Sequence, residues 1–295
     1  MTTNTFRMRA RGPFSLTAAA RFTEGFPAGQ GGGDRARLDL AFPAEGSWAT
    51  VGVRVTEDRD GLLGEIVANP GRLPRTDVQR QVERILSLDA DGTTFPDVGR
   101  RDPVVRDLQA RYPGLRPIQF HSPYEAAAWT IIGHRIRMTQ AAVIKNRLAE
   151  ELGDRVDFGD RTLPAFPAPE RLASLVPPRG LTALKVDQLR ALGRAAAGGL
   201  LDADLLRGQH REQALAHLRT LPGVGPFSAE LILLRGAGDP DAFPAHEKRL
   251  HRAMATAYDL GPNPDVETLA AVAERWRPFR MWVALLLRAA QADAA

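Results

Sequence analysis

The chain has 295 residues, 44% of them hydrophobic, with a formal net charge of +4 and no cysteine. That length suits one large domain or two to three smaller ones with a sizeable core, and the lack of cysteine excludes disulfides, thiolate zinc sites and cysteine-ligated iron-sulfur clusters. A surplus of four positive charges permits a polyanionic partner without pointing to one.

The opening stretch MTTNTFRMRARGPF lacks the apolar core of a signal peptide, and no later run approaches the roughly 18 uncharged apolar residues of a membrane span. A cytoplasmic protein is therefore expected. The cluster Gly29, Gly31, Gly32 and Gly33 reads as a loop between strands. RARLDLAF (35–42), SWATVGVRVTED (47–58) and GLLGEIVAN (61–69) have the alternation or β-branched runs of strands. TDVQRQVERILSLD (76–89) then puts Val78, Val82, Ile85 and Leu86 on one helical face behind a capping Thr76, and the sheet is expected to pack on it. From SPYEAAAWTIIG (122–133) onward the pattern reads as helical throughout, through RMTQAAVIKNRLAEELG, DQLRALGRAAAGG, SAELILLRG, EKRLHRAMATAYDLG and VETLAAVAERW. The change of pattern predicts an α+β fold. Residues 1–117 form a small sheet-plus-helix domain and residues 118–295 an all-α domain, as two helical subdomains around a cleft. No fixed-period repeat interrupts this reading.

LRTLPGVGPFSAELILL (218–234) sets a helix end, a glycine turn and a new helix start within a few residues. Glycine tolerates positive φ and close backbone approach, and the free amides of a helix N-terminus suit a phosphate oxygen. A bare GxG also occurs in ordinary tight turns. The fuller string Leu-Pro-Gly-Val-Gly between amphipathic helices resembles the helix-hairpin-helix element of DNA repair proteins. The resemblance implies that Leu221, Gly223, Val224, Gly225, Phe227 and Ser228 meet the DNA backbone. It also implies a monovalent cation on the carbonyls of Arg219, Leu221 and Val224.

In the glycosylase branch of that superfamily the hairpin is followed by an F-P-x-x-D segment whose aspartate performs catalysis at the start of a helix. The matching string here is DAFPAHEKRL (241–250), with Phe243 and Pro244 in register and Glu247 at the acid position. A carboxylate beside the anomeric carbon stabilises oxocarbenium character as the base departs. Glutamate carries the same charge on a stem about 1.5 Å longer, and a misplacement of about 1 Å costs roughly a hundredfold in rate. Glu247 is thus expected either to be the catalytic acid or to be an acidic residue favoured in a helix's first turn.

VERILSLDAD, RDPVVRDLQARYPGLRP, SPYEAAAWTIIGHRIRMTQAA, GLTALKVDQLRALGRAAAGG and ERWRPFRMWVALLLRAA occur in an order that, with the hairpin and acid segment, resembles the AlkA-type DNA-3-methyladenine glycosylase II family over nearly the whole chain. The resemblance implies a monomeric, cofactor-free enzyme that binds duplex DNA, extrudes a damaged, alkylated base and hydrolyses its N-glycosidic bond in base excision repair. Several positions depart from the family. Its usual Gln and the following wedge residue are His134 and Arg135 here, open to readings as lesion contact and gap filler or as a capping His and a solvated Arg. Phe227 stands where lyase-competent relatives carry lysine, so β-elimination is not expected; it either stacks on an extruded base or packs in the core. Arg288 and Leu231 stand where the family has pocket aromatics, leaving Trp282 and Trp129 as replacements or as core. The Glu-for-Asp exchange and the thinned pocket keep open a DNA-binding protein of weak or no activity, and the hairpin alone would also fit a helical interaction module. Arg275, Arg277 and Arg280 around Trp276 and Phe279 mix cations with aromatics as a nucleic-acid surface or a snorkelling helix edge would. His246 and His251, five apart, do not share a metal-binding helix face, so no transition metal is expected.

Overall fold

The structure, a computed structural model, describes residues 4–25, 37–177 and 180–293, the side chains of residues 24 and 25 excepted. The glycine cluster from Gly29 to Gly33 lies outside the described residues. Four antiparallel strands, β1 (Thr5–Met8), β2 (Arg37–Pro43), β3 (Thr50–Asp58) and β4 (Gly61–Ala68), form one sheet in the order β1-β4-β3-β2. The three longer strands fall where alternation predicts them. β1 has only four residues, too few for a periodic signal, and its place is set by pairing with β4 from Thr5↔Glu65 to Met8↔Leu62. The sheet buries Phe6, Leu40, Val53 and Val55 against Leu16 and Ala19 of the helix Leu16–Gly25 and Val78, Val82 and Ile85 of the helix Arg75–Ile85.

That second helix departs from its expected ends. Thr76 is not the cap. Pro74 holds that position with its fixed φ of −55°, and no side chain bonds the first amides. The helix stops at Ile85 rather than near residue 89 because Ser87 turns left-handed, with φ 52°, and its hydroxyl donates to the Pro117 carbonyl at 2.5 Å.

Residues beyond 122 are not helical throughout either. A hairpin of β5 (Arg155–Asp157) and β6 (Thr162–Pro164) turns at Gly159, φ +90°, and packs Val156, Phe158 and Ala165 on Ala41 of the sheet. Gly52 of β3 makes the room: a Cβ there would sit 2.3 Å from a Val156 methyl. Its strands are shorter than the window over which alternation can be read.

The helices pack into two cores. One joins Pro123–Gly133, Met138–Leu152, Ala183–Ala197, Arg211–Leu218 and Pro226–Leu231, the last continuing into a π-helical turn, Ile232–Ala237. The other joins Lys248–Ala257, Val266–Ala273 and Arg280–Asp293 with Phe95, Val98, Val105, Leu108 and Leu115 from the earlier part of the chain. Among the described residues no helix is long and apolar enough to cross a membrane.

Candidate active site

Helix Pro123–Gly133 is buried from Pro123 to Ile132 and starts at Ser122, whose hydroxyl accepts from the Glu125 amide at 3.1 Å. Its far end is closed by Lys185, whose ammonium donates to the carbonyls of Ile132 at 2.7 Å and His134 at 2.8 Å. Arg135 follows with φ 57°. This turn delivers the two expected lesion-side residues to different places. His134 is half-buried on the wall of a cleft of about 1250 Å³, with Nε2 3.4 Å from the Ser228 hydroxyl, whereas Arg135 is exposed outside that wall. Burial, then the nearby Lys185 and Arg135, lowers the His134 pKa below its ordinary 6.5, so its imidazole is neutral at neutral pH.

The hairpin is built from a short turn between Arg211–Leu218 and Pro226–Leu231. The Val224 amide donates to the Leu221 carbonyl at 3.1 Å, and both side chains are buried as anchors. Gly223 has φ +85°, and a Cβ on it would meet the Gln188 side chain at 2.7 Å. Gly225 is exposed and caps the helix, with open space where a Cβ would go. Pro226 brings no N–H, so the first-turn donors are the amides of Phe227 and Ser228. Ser228 is buried, and Phe227 lies 41% exposed on the cleft wall.

Glu247 stands on the same wall. It is half-buried at the N-cap of Lys248–Ala257, where its Oε1 accepts from the Arg249 amide at 3.0 Å. Asp caps helices as well as Glu or better; here the longer side chain reaches its i+2 amide with one oxygen while Oε2 takes no part in that bond. Two arginines on the wall feel its charge. Burial pushes the Arg235 guanidinium down to about 10 and lowers that of Arg288, and in both Glu247 pulls the other way. Lys248 is exposed.

Three carboxylates line the cleft among the described residues, and the other two are engaged at both ends or by strong donors. Asp293 accepts from Tyr112 at 2.6 Å and Arg111 at 3.2 Å. Glu230, on the hairpin's second helix, accepts from the His246 amide at 3.0 Å and holds the His246 Nδ1 at 3.0 Å.

Trp282 requires a correction as a pocket aromatic. It is 1% exposed, off the cleft wall, packed edge-on against Phe95 at 5.1 Å and beneath the Arg116 guanidinium at 4.7 Å. The helical period turns it inward, as a core position. Trp129 does line the cleft, although only 6% exposed, and Leu231 and Arg288 line it as well. The run around Trp276 is a paired edge: Trp276 and Phe279 are buried, and Arg277 and Arg280 bind Asp241 and Glu274. Sequence reasoning missed Arg235, Glu230 and the whole contribution of the first helix, whose Arg21 and Phe22 complete the wall. The helix was not among the expected elements; it buries Leu16, Ala19, Ala20 and Thr23 on one face, and nothing local aims its other residues at a distant cleft. The carbonyl of Leu221 already accepts one hydrogen bond and keeps one lone pair for a cation. No group of three or more His, Cys, Asp or Glu able to hold a metal occurs among the described residues.

No protein-family model matches the chain. It is 24% identical over 217 residues to a DNA-3-methyladenine glycosylase of Bacillus subtilis, across 72% of each protein. It is 33% identical over 202 residues to a probable bifunctional transcriptional activator/DNA repair enzyme AlkA of Mycobacterium tuberculosis, matching 68% of this chain and 40% of that longer one. In three dimensions it is similar to a 3-methyladenine DNA-glycosylase from Archaeoglobus fulgidus, with a TM-score of 0.78 at 20% identity over 96% of each chain.

Proposed function

From the premise that this chain belongs to the AlkA-type DNA-3-methyladenine glycosylases, we propose that it removes alkylated bases from duplex DNA by monofunctional hydrolysis and that Glu247 carries the chemistry. The observation that carries this reading is the placement of Glu247, half-buried on the wall of the cleft that also holds His134 and Phe227, one oxygen fastened to the Arg249 amide.

In the proposed sequence of events the hairpin approaches the phosphate chain with the exposed backbone of Gly225 and the first-turn amides of Phe227 and Ser228, Leu221, Gly223 and Val224 setting the turn. A monovalent cation on the carbonyls of Arg219, Leu221 and Val224 would add positive charge there. The damaged base leaves the stack at a cost of a few kcal/mol, least for a lesion whose pairing is already weak. Phe227 and Trp129 offer faces to the extruded base, and neutral His134 offers a donor or an acceptor to it. Arg135, exposed beside the cleft, would meet the gap or a phosphate. As the N-glycosidic bond breaks, its electron pair leaves with the base. The sugar gains oxocarbenium character opposite the Glu247 carboxylate, and a water adds to C1′, its proton passing to that carboxylate. The protein acts as a monomer in the cytoplasm, residues 1–117 supplying one wall of the cleft and residues 118–295 the hairpin and the acid.

Release of methylated bases from alkylated duplex DNA tests this directly. Glu247→Gln keeps the shape and an acceptor for the Arg249 amide while removing the charge, and the expected loss in single-turnover rate is on the order of 10² to 10³ with duplex affinity retained. Equal release by wild type and variant would take Glu247 out of the mechanism.

A further inference from the structure

Glu230 is 6% exposed yet lies on the cleft wall, 17 residues before the proposed catalytic acid. Both of its oxygens are committed to a single residue: Oε2 accepts from the His246 amide at 3.0 Å, and Oε1 holds His246 Nδ1 at 3.0 Å. His246 immediately precedes Glu247. The segment between the π-helical turn and Glu247 has no regular structure, and its earlier part is tied down by Asp239 to Arg211 and Asp241 to Arg280. Its last residue, His246, is held by Glu230. We propose that Glu230 is a positioning residue: it clamps the backbone and ring of His246 so that Glu247 enters the cleft from a fixed point. The proposal rests on the reading of Glu247 given above.

The chemistry of the three wall carboxylates favours this role over a reactive one. Glu230 has spent both oxygens on fixed donors, whereas Glu247 has spent one and keeps the other for substrate. A glutamate has one more rotatable bond than the aspartate usual at this position, so more side-chain freedom has to be removed to place its oxygens. The Arg249 amide removes it at the carboxylate, and the contacts of Glu230 with His246 fix the backbone from which that side chain departs. The clamp also joins the acid to the hairpin, because Glu230 sits on the same short helix as Phe227 and Ser228, and Ser228 reaches His134. One helix thereby sets the relative positions of the phosphate-facing amides, the lesion-side histidine and the acid.

The test is single-turnover release from methylated duplex DNA together with the equilibrium affinity for that duplex. Glu230→Ala is expected to slow release about a hundredfold, the effect of a displacement near 1 Å, with affinity unchanged. Glu230→Gln recovers most of that loss, because its amide oxygen accepts from the His246 N–H and its NH₂ donates to Nδ1. In a Glu247→Gln background Glu230→Ala removes nothing more, since it acts through the missing group. A Glu230→Gln variant as slow as Glu247→Gln would make Glu230 itself the reacting acid, and Glu230→Ala at the wild-type rate would make the clamp idle; either result overturns the proposal. Should the wild-type protein release no base, the proposed function has failed, and the clamp is read from amide hydrogen exchange instead. Glu230→Ala then accelerates exchange at residues 245–248 with the rest of the chain unchanged. Unchanged exchange there, or acceleration spread over the whole chain, overturns it.

Discussion

Gly223 and Gly225 stand two positions apart in the hairpin and are glycine for different reasons. Gly223 has φ +85° and Gln188 packed where a Cβ would project, so its constraint is internal. Gly225 has φ −91°, open to any residue, and nothing within reach of a Cβ, so the fold alone does not require glycine there. Gly223→Ala is accordingly expected to destabilise the protein by about 1 kcal/mol or more. Gly225→Ala is expected to leave stability within about 0.5 kcal/mol while weakening duplex binding several-fold, because a methyl now meets whatever approaches the hairpin. Urea unfolding and fluorescence anisotropy with a labelled duplex measure the two quantities, and undiminished binding by Gly225→Ala would mean that no phosphate comes close to that backbone. At this scale the sequence singled out the glycine string but could not separate its two glycines, because the backbone angle of Gly223 is fixed by the folded turn and Gln188 comes from another part of the chain.

Helix Pro123–Gly133 carries both the turn at His134 and a buried ionic cluster that fixes the helix itself. Glu125, at its first turn, lies 2.7 Å from the fully buried Lys145 ammonium and 3.1 Å from His121 Nδ1. Burial by itself would raise its carboxyl, but Lys145 and His121 outweigh that and hold it well below the ordinary 4.5. The folded state therefore binds fewer protons than the unfolded chain as pH falls through the carboxylate range. The stability this group contributes is fully present above about 4.5 and is lost as pH drops below it. Glu125→Gln leaves Lys145 buried without its counter-charge and is expected to cost about 3–5 kcal/mol at pH 7. In denaturant titrations at several pH values the gap between wild type and variant should narrow steadily below 4.5; a gap independent of pH would show that lost packing, not the ion pair, is responsible. The helix was evident from its apolar run. Its Glu–Lys–His cluster was not, since Lys145 lies on the following helix and His121 in the bend before this one, and none of the three shows locally that it will be buried.

On the scale of the whole molecule, the division into residues 1–117 and 118–295 is a proposal with a specific consequence. The core of the last three helices includes Phe95, Val98, Val105, Leu108 and Leu115, and Arg116 lies over Trp282. The helical segment 118–295 produced alone would lose these partners and expose the matching apolar faces of Leu250, Trp282 and Leu286, at roughly 1.5–3 kcal/mol for each large side chain returned to water. It is expected to unfold non-cooperatively or aggregate, whereas a chain beginning near residue 92 keeps those contacts and should give a sharper transition. Thermal unfolding of the two fragments compares them, and equal cooperativity would support a boundary at 117 for the folding unit. The first helix bears on function as well, because Arg21 and Phe22 form part of the cleft wall.

Local spacing was sufficient for the three long strands, the amphipathic helices and the glycine turn between two of them, because each is encoded in neighbours within one or two turns of chain, whereas residue 247 was singled out only by resemblance to the F-P-x-x-D segment. Resemblance in the order of those strings supplied the family. Tertiary structure alone decided what faces the cleft: it turned Trp282 inward and Trp129 toward the opening, left Arg135 outside, brought Arg235 and Phe22 to the wall, and set Glu230 against His246. The physical reason is that periodicity reports which side of an element is apolar, whereas the partner met by that side depends on contacts between residues far apart in sequence, whose closure no local pattern records.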